Sequence, residues 1–218
     1  MITSFDHLVI GAADLRQGSD YVTSALGVTF SAGGKHPRMG THNLVGRLGD
    51  KSFIEIIAID PEAQQPTQPR WFGLDDPYVR AGLEQSPRLL TWVVACDDIT
   101  AAIDAPEIAF GYAQPLSRGE LRWYFGVPDD GRLLAGGILP YVISWQTEPH
   151  PAAAMAEIGL DLCVLRLHTP FVDWTARQLE ALDALEMVEV IEAPAPSSPW
   201  LEAVFATPAG ERTLTSRG

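Results

Sequence analysis

At 218 residues and 46% apolar side chains, the chain is long enough to bury a substantial core and too hydrophobic for wholesale disorder. Its 28 acidic residues against 15 basic ones leave a net charge of −13, which repels phosphate backbones and anionic lipid surfaces. Nucleic acid and membrane are therefore not expected partners. The start, MITSFDHLVI, has no basic segment followed by an apolar run, so no signal peptide is expected. No apolar run approaches the length of about 18 residues that spans a bilayer. The two cysteines, Cys96 and Cys163, fall in apolar strand-like stretches, where buried free thiols fit a cytoplasmic protein better than a disulfide does.

Residues 1–60 predict a β-α-β-β-β unit. A β-rich strand over 5–11 precedes Asp14, a helix cap with Gln17 three residues on. Leu15, Val22, Ala25 and Leu26 form the helical stripe that Gly27 ends. Strands are expected near 28–32, 41–48 and 52–59, the last two joined through Gly49-Asp50. Residues 61–88 form a connector, containing PEAQQPTQP and the aromatic RWFGLDDP. Residues 89–149 repeat the order: a strand over 89–95, a short helix capped by Asp98, then strands near 108–113, 121–127 and 138–145. Residues 150–218 predict a third, degenerate βαβββ-like unit. Its strand over 161–168 leads into a helix from about Asp173 to Leu185, with Leu179, Leu182 and Leu185 on one face. Strands near 187–192, 201–207 and 211–215 follow.

The repeat is visible residue by residue. FDHLVIGAADL (5–15) aligns with LLTWVVACDDI (89–99), so that Leu8 falls on Trp92, Val9 on Val93, Asp14 on Asp98, and His7 on Thr91. Paired βαβββ modules opening on this strand–cap–helix resemble the vicinal oxygen chelate superfamily, which includes glyoxalase I and extradiol dioxygenases. More narrowly, ALGVTF, GGKHPRMGTHNLVGRLGDKSFIEIIAIDP, PRWFGLD, ELRWYFGVPDD and EPHPAA resemble one glyoxalase-like branch, densely over residues 5–151 and loosely beyond. The resemblance implies an α+β fold in which tandem modules form a curled mixed sheet around a shared cavity. It also implies that strands one and four of each module carry ligand positions in metal-binding members.

In SFIEIIA (52–58), Ile54, Ile56 and Ala58 share one face and suit packing under the helix. Glu55 then points to the concave face with Phe53 and Ile57, where an ionised carboxylate is costly without a partner. By resemblance His7 is that partner, making His7 and Glu55 the catalytic pair and the metal-ligand candidates, with a third ligand open among His36, His42 and His150; a purely structural histidine–carboxylate pair is the bland alternative. In the second module, Thr91 and Ser144 occupy the corresponding positions. Hydroxyls are weak ligands beside imidazole and carboxylate, so the cofactor expectation is none or a divalent metal, with metal not favoured.

The hairpin register decides whether His42 or Asn43 joins Glu55, because a one-residue slip flips every side chain. A two-residue loop selects His42 and a three-residue loop selects Asn43. AGGKHPRMG reads as an ordered loop at the cavity mouth carrying His36, or as plain surface. In ELRWYF, Arg122 either faces the cavity, where it selects a carboxylate, or faces solvent. Trp71 and Trp123 line an apolar pocket or belong to the core. His150, between prolines, is a structural turn or a cavity lid. No G-x-S-x-G elbow, CxxC pair or P-loop is present.

The resulting expectation is a monomeric or homodimeric glyoxalase-like protein that binds a small organic molecule between modules, carboxylate-bearing if Arg122 faces the cavity. It either catalyses lyase- or isomerase-type proton transfer through His7 and Glu55 or sequesters its ligand without turnover.

Overall fold

The computed structural model describes residues 1–107 and 110–217. The first module comprises β1 (Thr3–Gly11), α1 (Leu15–Leu26), β2 (Ser31–His36), β3 (Thr41–Gly49) and β4 (Ser52–Ile59). After α2 (Pro77–Gln85) in the connector come β5 (Arg88–Cys96), α3 (Ile99–Asp104), β6 (Tyr112–Arg118), β7 (Leu121–Val127) and β8 (Tyr141–Trp145). These strands form one eight-stranded sheet in the order β2-β3-β4-β1-β5-β8-β7-β6. In each module the first strand runs parallel to the fourth, and β1 meets β5 antiparallel at the centre. The order reads the same from either edge, as two equivalent modules related by an approximate twofold require. Leu8 is paired with Trp92, its own counterpart in the sequence repeat, which puts the pseudo-axis there.

Local sequence accounts for the helix placement. Asp14 accepts from the Gln17 N–H (2.8 Å), Gln17 Oε1 accepts from the Ala13 N–H (2.9 Å), and Gly27 closes α1 in the left-handed region (φ 71°). Gly18 lets α1 ride close on the sheet: a Cβ there would stand 2.3 Å from Ile56 Cγ2. Ile54, Ile56 and Ala58 thus lie under the helix, and Phe53, Glu55 and Ile57 occupy the concave face.

Two strands are displaced from their expected positions. The strand expected near 28–32 instead runs Ser31–His36, taking in the first half of the expected mouth loop (32–40) as an edge strand paired with β3 and leaving only the turn at 37–40 irregular. The strand expected near 108–113 instead runs Tyr112–Arg118, and its predicted start at 108–109 lies outside the described residues. Pro115 is tolerated inside this strand because β6 is the sheet edge, where a missing N–H costs no ladder bond.

The C-terminal elements are β9 (Asp161–Thr169), α4 (Val172–Ala181), β10 (Glu189–Glu192), β11 (Trp200–Thr207) and β12 (Gly210–Thr215). They keep the β-α-β-β-β order but form a separate sheet, β10-β9-β11-β12, in which the first strand pairs in parallel with the second strand rather than the fourth. This sheet packs against α1 and β5, and Leu165, Leu167, Leu201, Phe205 and Leu214 join the main core. The helix stops at Ala181, short of the expected Leu185: Leu179 and the capping Leu182 are buried, and Leu185, in a following 3₁₀ turn, is half-buried. Both cysteines are free. Cys96 is buried, whereas Cys163 is exposed at a register shift, the residue skipped between the Val164–Val204 and Leu162–Phe205 pairs. Among the described residues, no helix is long and apolar enough to cross a membrane.

Candidate functional site

The two ends of the large sheet curl until its edges meet. Arg38 Nη1 on the β2–β3 turn donates to Pro115 O of β6 (3.1 Å), and Arg118 at the end of β6 reaches His36 and Asn43. The concave face so enclosed holds a cavity of about 40 Å³. Both modules contribute to it: His7, Asn43 and Glu55 from the first, Arg118 and Trp123 from the second. Trp71 comes from the connector, and Pro151 and Met155 from the segment after β8. That volume accommodates a few waters or a group of a few heavy atoms, since one water needs about 10–15 Å³ measured this way.

Glu55 is buried, with Asn43 Nδ2 donating to its Oε2 (2.6 Å) and His7 Nε2 3.7 Å from its Oε1. The register that admits Asn43 combines the two loop lengths considered. The loop itself is two residues, Asp50-Lys51, but a bulge at Leu48 adds a third, so Val45 pairs with Glu55 and Asn43 with Ile57. His42 pairs with Ala58 on the opposite face and lies outside the cavity, its Nε2 buried without a hydrogen-bond partner.

Asp6, which the sequence reading passed over, anchors the site. A register shift between Phe5 and His7 breaks the alternation of β1, so Asp6 and His7 meet side by side. Asp6 Oδ1 lies 2.5 Å from His7 Nδ1, while Oδ2 accepts from Trp145 Nε1 (2.8 Å) and His150 Nε2 (3.1 Å). His150 Nδ1 in turn accepts the Ala152 N–H (3.2 Å), so His150 needs no charge to fill both roles. It sits one layer behind the cavity, as cap of a short 3₁₀ turn (Pro151–Ala154), rather than lining it. Burial alone would raise the Asp6 pKa, but the bonds from His150 and His7 outweigh it and hold the carboxyl below its ordinary value. An ionised Asp6 claims the Nδ1 proton of His7, which leaves Nε2 as the atom that faces Glu55. The His7 ring is fixed further by stacking on Phe53, with centroids 4.4 Å apart.

Burial pushes the Glu55 pKa up, only partly offset by His7 and by the Asn43 bond. His36 is driven the other way, down to about 3, first by burial and then by the Arg118 charge. It is therefore neutral, with Nδ1 at 3.1 Å from Thr41 Oγ1 and Nε2 placed to accept from Arg118 Nη1 at 3.3 Å.

Arg118 is the second residue missed, and it replaces Arg122 as the cavity guanidinium. Arg122 neighbours Trp123 on one strand; Trp123 faces inward, so Arg122 is exposed on the other face. Gln114, Leu116 and Arg118 share the inward face of β6, a pattern legible in QPLSR only once the strand is placed at 112–118.

The second-module counterparts also change. Glu55 lies opposite Val9 in the β1–β4 pairing, and the same position opposite Val93 holds Tyr141, not Ser144. Ser144 points away from the cavity, between Ile143 and Trp145, which line it. Tyr141 is spent on structure: its hydroxyl donates to Arg132 O (2.7 Å) and accepts from the Phe72 N–H (3.1 Å). Thr91 is buried on the concave face, 3.4 Å from Leu139 O. Chemistry-bearing groups thus come from one module, with the arginine from the other.

The donor set does not fit a divalent metal. His7 Nε2 and Glu55 Oε1 face one another, the His36 imidazole in the same lining is turned to Thr41 and Arg118, and among the described residues no cluster of three or more His, Cys, Asp or Glu side chains is placed to hold an ion. The third group beside Glu55 is the Arg118 guanidinium, whose charge acts on the carboxylate and would repel a dication.

The family model described as a glyoxalase-like domain matches residues 5–182. No curated protein sequence matches the chain. Among solved structures, a hypothetical protein from Staphylococcus aureus superposes with a TM-score of 0.55 at 12% identity, covering 99% of this chain and 85% of that one. Methylmalonyl-CoA epimerase in complex with methylmalonyl-CoA and NH4+ aligns with 69% of this chain and 100% of its own, at 16% identity and a TM-score of 0.44. The Mycobacterium tuberculosis methylmalonyl-CoA epimerase covers 69% of this chain and 91% of its own, at 19% identity and a TM-score of 0.41.

Proposed function

The chain belongs to the glyoxalase-like domain family, and from that premise we propose that its cavity binds a small organic anion and moves a proton on the carbon beside a carbonyl. The observation that carries this reading is Glu55: a buried carboxylate with a raised pKa, on a cavity wall, one of its oxygens facing an imidazole nitrogen. A carboxyl group tuned upward by burial is a better base than an exposed one, because its proton affinity lies closer to that of the carbon acid. His7 Nε2 faces Glu55 Oε1 at 3.7 Å, so the two groups flank one point of the cavity without bonding each other directly. Taking a substrate proton onto Glu55 and returning it from the pair is an isomerase- or lyase-type step that needs no further group. Arg118 supplies fixed positive charge for a substrate carboxylate and for the oxygen on which enolate charge develops. The cavity is far below the 300–1,000 Å³ or so of drug-sized pockets, so the reacting portion of the ligand is small, or half-buried Met155 and Pro151 move to admit it.

A second reading, a non-catalytic binder that sequesters its ligand, draws on the hydrogen bonds within the site: Asn43 already satisfies Glu55, and Asp6 already satisfies His7. Incubation in D₂O with a panel of small 2-oxo acids and 2-substituted carboxylates, followed by proton NMR, separates the two. Loss of the signal of the hydrogen next to the carbonyl with wild type and not with Glu55→Gln supports catalysis. Binding by calorimetry with no exchange for any bound compound supports the sequestering protein. Neither binding nor exchange across the panel removes the small-anion reading.

A further inference from the structure

A second and larger cleft, of about 720 Å³, lies where the connector helix and the loop before β8 face the C-terminal sheet. Its floor is apolar, with Leu89, Leu90, Leu133 and Val79, while three guanidinium groups stand at its walls: Arg88, Arg132 and Arg217. The one carboxylate in the lining, Asp76, is already engaged in accepting the Tyr78 and Val79 N–H groups at the start of α2. In a chain of net charge −13, Arg88 and Arg217 stand against one carboxylate, with Arg132 already paired to Asp130, and make a local excess of positive charge.

Two of these arginines are held in place by identifiable contacts. Arg88 Nη2 donates to Gly82 O in the last turn of α2 (2.7 Å), and its Nε is buried with no hydrogen-bond partner. Arg217 lies over the Trp200 ring, 4.4 Å from its centroid, and His168 stacks on the same indole at 3.6 Å. Arg132 pairs with Asp130 through Nη1 (2.7 Å). The lining also contains Gly73 and Gly136, each following a non-glycine residue in the left-handed region, Phe72 (φ 58°) and Ala135 (φ 47°).

We propose that this cleft is a second ligand site, which takes an organic anion with a flat apolar body, the body on the leucine floor and the carboxylate or phosphate head between Arg88 and Arg217. Its volume lies in the range of small-molecule pockets, about 300–1,000 Å³, which the cavity around Glu55 does not reach. Arg88, tethered to Gly82 O, and a planar Arg217 guanidinium held by an indole are preorganised for the head group, because neither has to give up a carboxylate to receive it. The assignment is independent of the chemistry proposed for Glu55.

Isothermal titration of the full chain with 2-naphthoate, 2-naphthyl phosphate and 2-naphthamide tests it. The two anions should bind, the amide at least tenfold more weakly, and the tighter of the two anions identifies the head group. Arg88→Met and Arg217→Met should each weaken anion binding about tenfold, while Arg118→Met, in the other cavity, should leave it unchanged. Arg217 is exposed, so its variant folds even if Arg88→Met does not. Absence of anion binding, equal binding of acid and amide, or binding lost in Arg118→Met and kept in Arg217→Met each overturns the proposal.

Discussion

His36 gives the site a measurable acid liability. The ring is buried and already committed at both nitrogens, to Thr41 and to Arg118, so protonating it would place a second cation against the guanidinium. An unfolded histidine titrates near 6.5; in the folded chain burial and Arg118 hold it down to about 3. Between those values the unfolded state binds a proton that the folded state refuses, so stability falls as pH falls. From pH 7 to pH 5 the unfolded chain goes from about a quarter protonated to nearly full, which costs the fold about 2 kcal/mol. His36→Gln keeps an acceptor for Arg118 and removes the proton site. Urea unfolding of both proteins at pH 7, 6 and 5 should therefore show wild type losing about 2 kcal/mol more than the variant across this range. Parallel pH profiles for the two would mean that His36 takes its proton in the folded state, and the neutral-imidazole account would fail.

Other perturbations have equally definite outcomes. Asp6→Ala strands the three donors from His7, Trp145 and His150 in a buried site, and should cost about 3–5 kcal/mol by chemical denaturation. Asp6→Asn should move the His7 proton from Nδ1 toward Nε2, read directly from imidazole ¹⁵N shifts. Because the Asp6 pKa is lowered, its contribution is present above its ordinary value of 3.8 and is lost as pH falls through the folded value, adding to acid unfolding. Gly18→Val drives side-chain atoms into Ile56 and should destabilise by about 1–3 kcal/mol in thermal melts. Arg118→Met should weaken carboxylate ligands of the Glu55 cavity at least tenfold while Arg122→Met leaves them unaffected, since Arg122 is exposed on the outer face.

The sequence carried the modules because each strand is buried on both faces or alternates cleanly, and because Asp14, Gly27 and Asp98 mark helix ends with local chemistry. His7 and Glu55 were readable for the same reason: a polar side chain on a face whose neighbours are all apolar stands out. What escaped was set by irregularities that leave little trace in composition. The bulge at Leu48 decided between His42 and Asn43, and the register shift after Phe5 brought Asp6 beside His7. Pro115 concealed an edge strand and with it Arg118. The C-terminal unit preserved the order of elements but not their pairing, because parallel pairing of β9 with β10 across α4 satisfies the same pattern of apolar residues. Tyr141, rather than Ser144, proved to be the counterpart of Glu55, since the second module reaches its fourth strand through a longer route than the first.

The central claim is that Glu55 is kept as a proton carrier in spite of what it does to stability, and the unfolding free energy of Glu55→Gln relative to wild type tests it most directly. A carboxyl whose folded pKa is raised stabilises the fold below its unfolded value near 4.5 and loses that contribution as pH rises through the folded value. The stability contributed by the protonated carboxyl is therefore lost progressively as pH rises above that value. The side-chain amide introduced by Glu55→Gln accepts from Asn43 and donates to His7 Nε2 without any charge to bury. The account predicts that the variant is as stable as wild type or more stable at pH 7, with wild type gaining on it toward pH 4.5. A variant less stable than wild type by about 3 kcal/mol at pH 7, the penalty for breaking a buried ion pair, would make His7–Glu55 a structural pair and contradict the account.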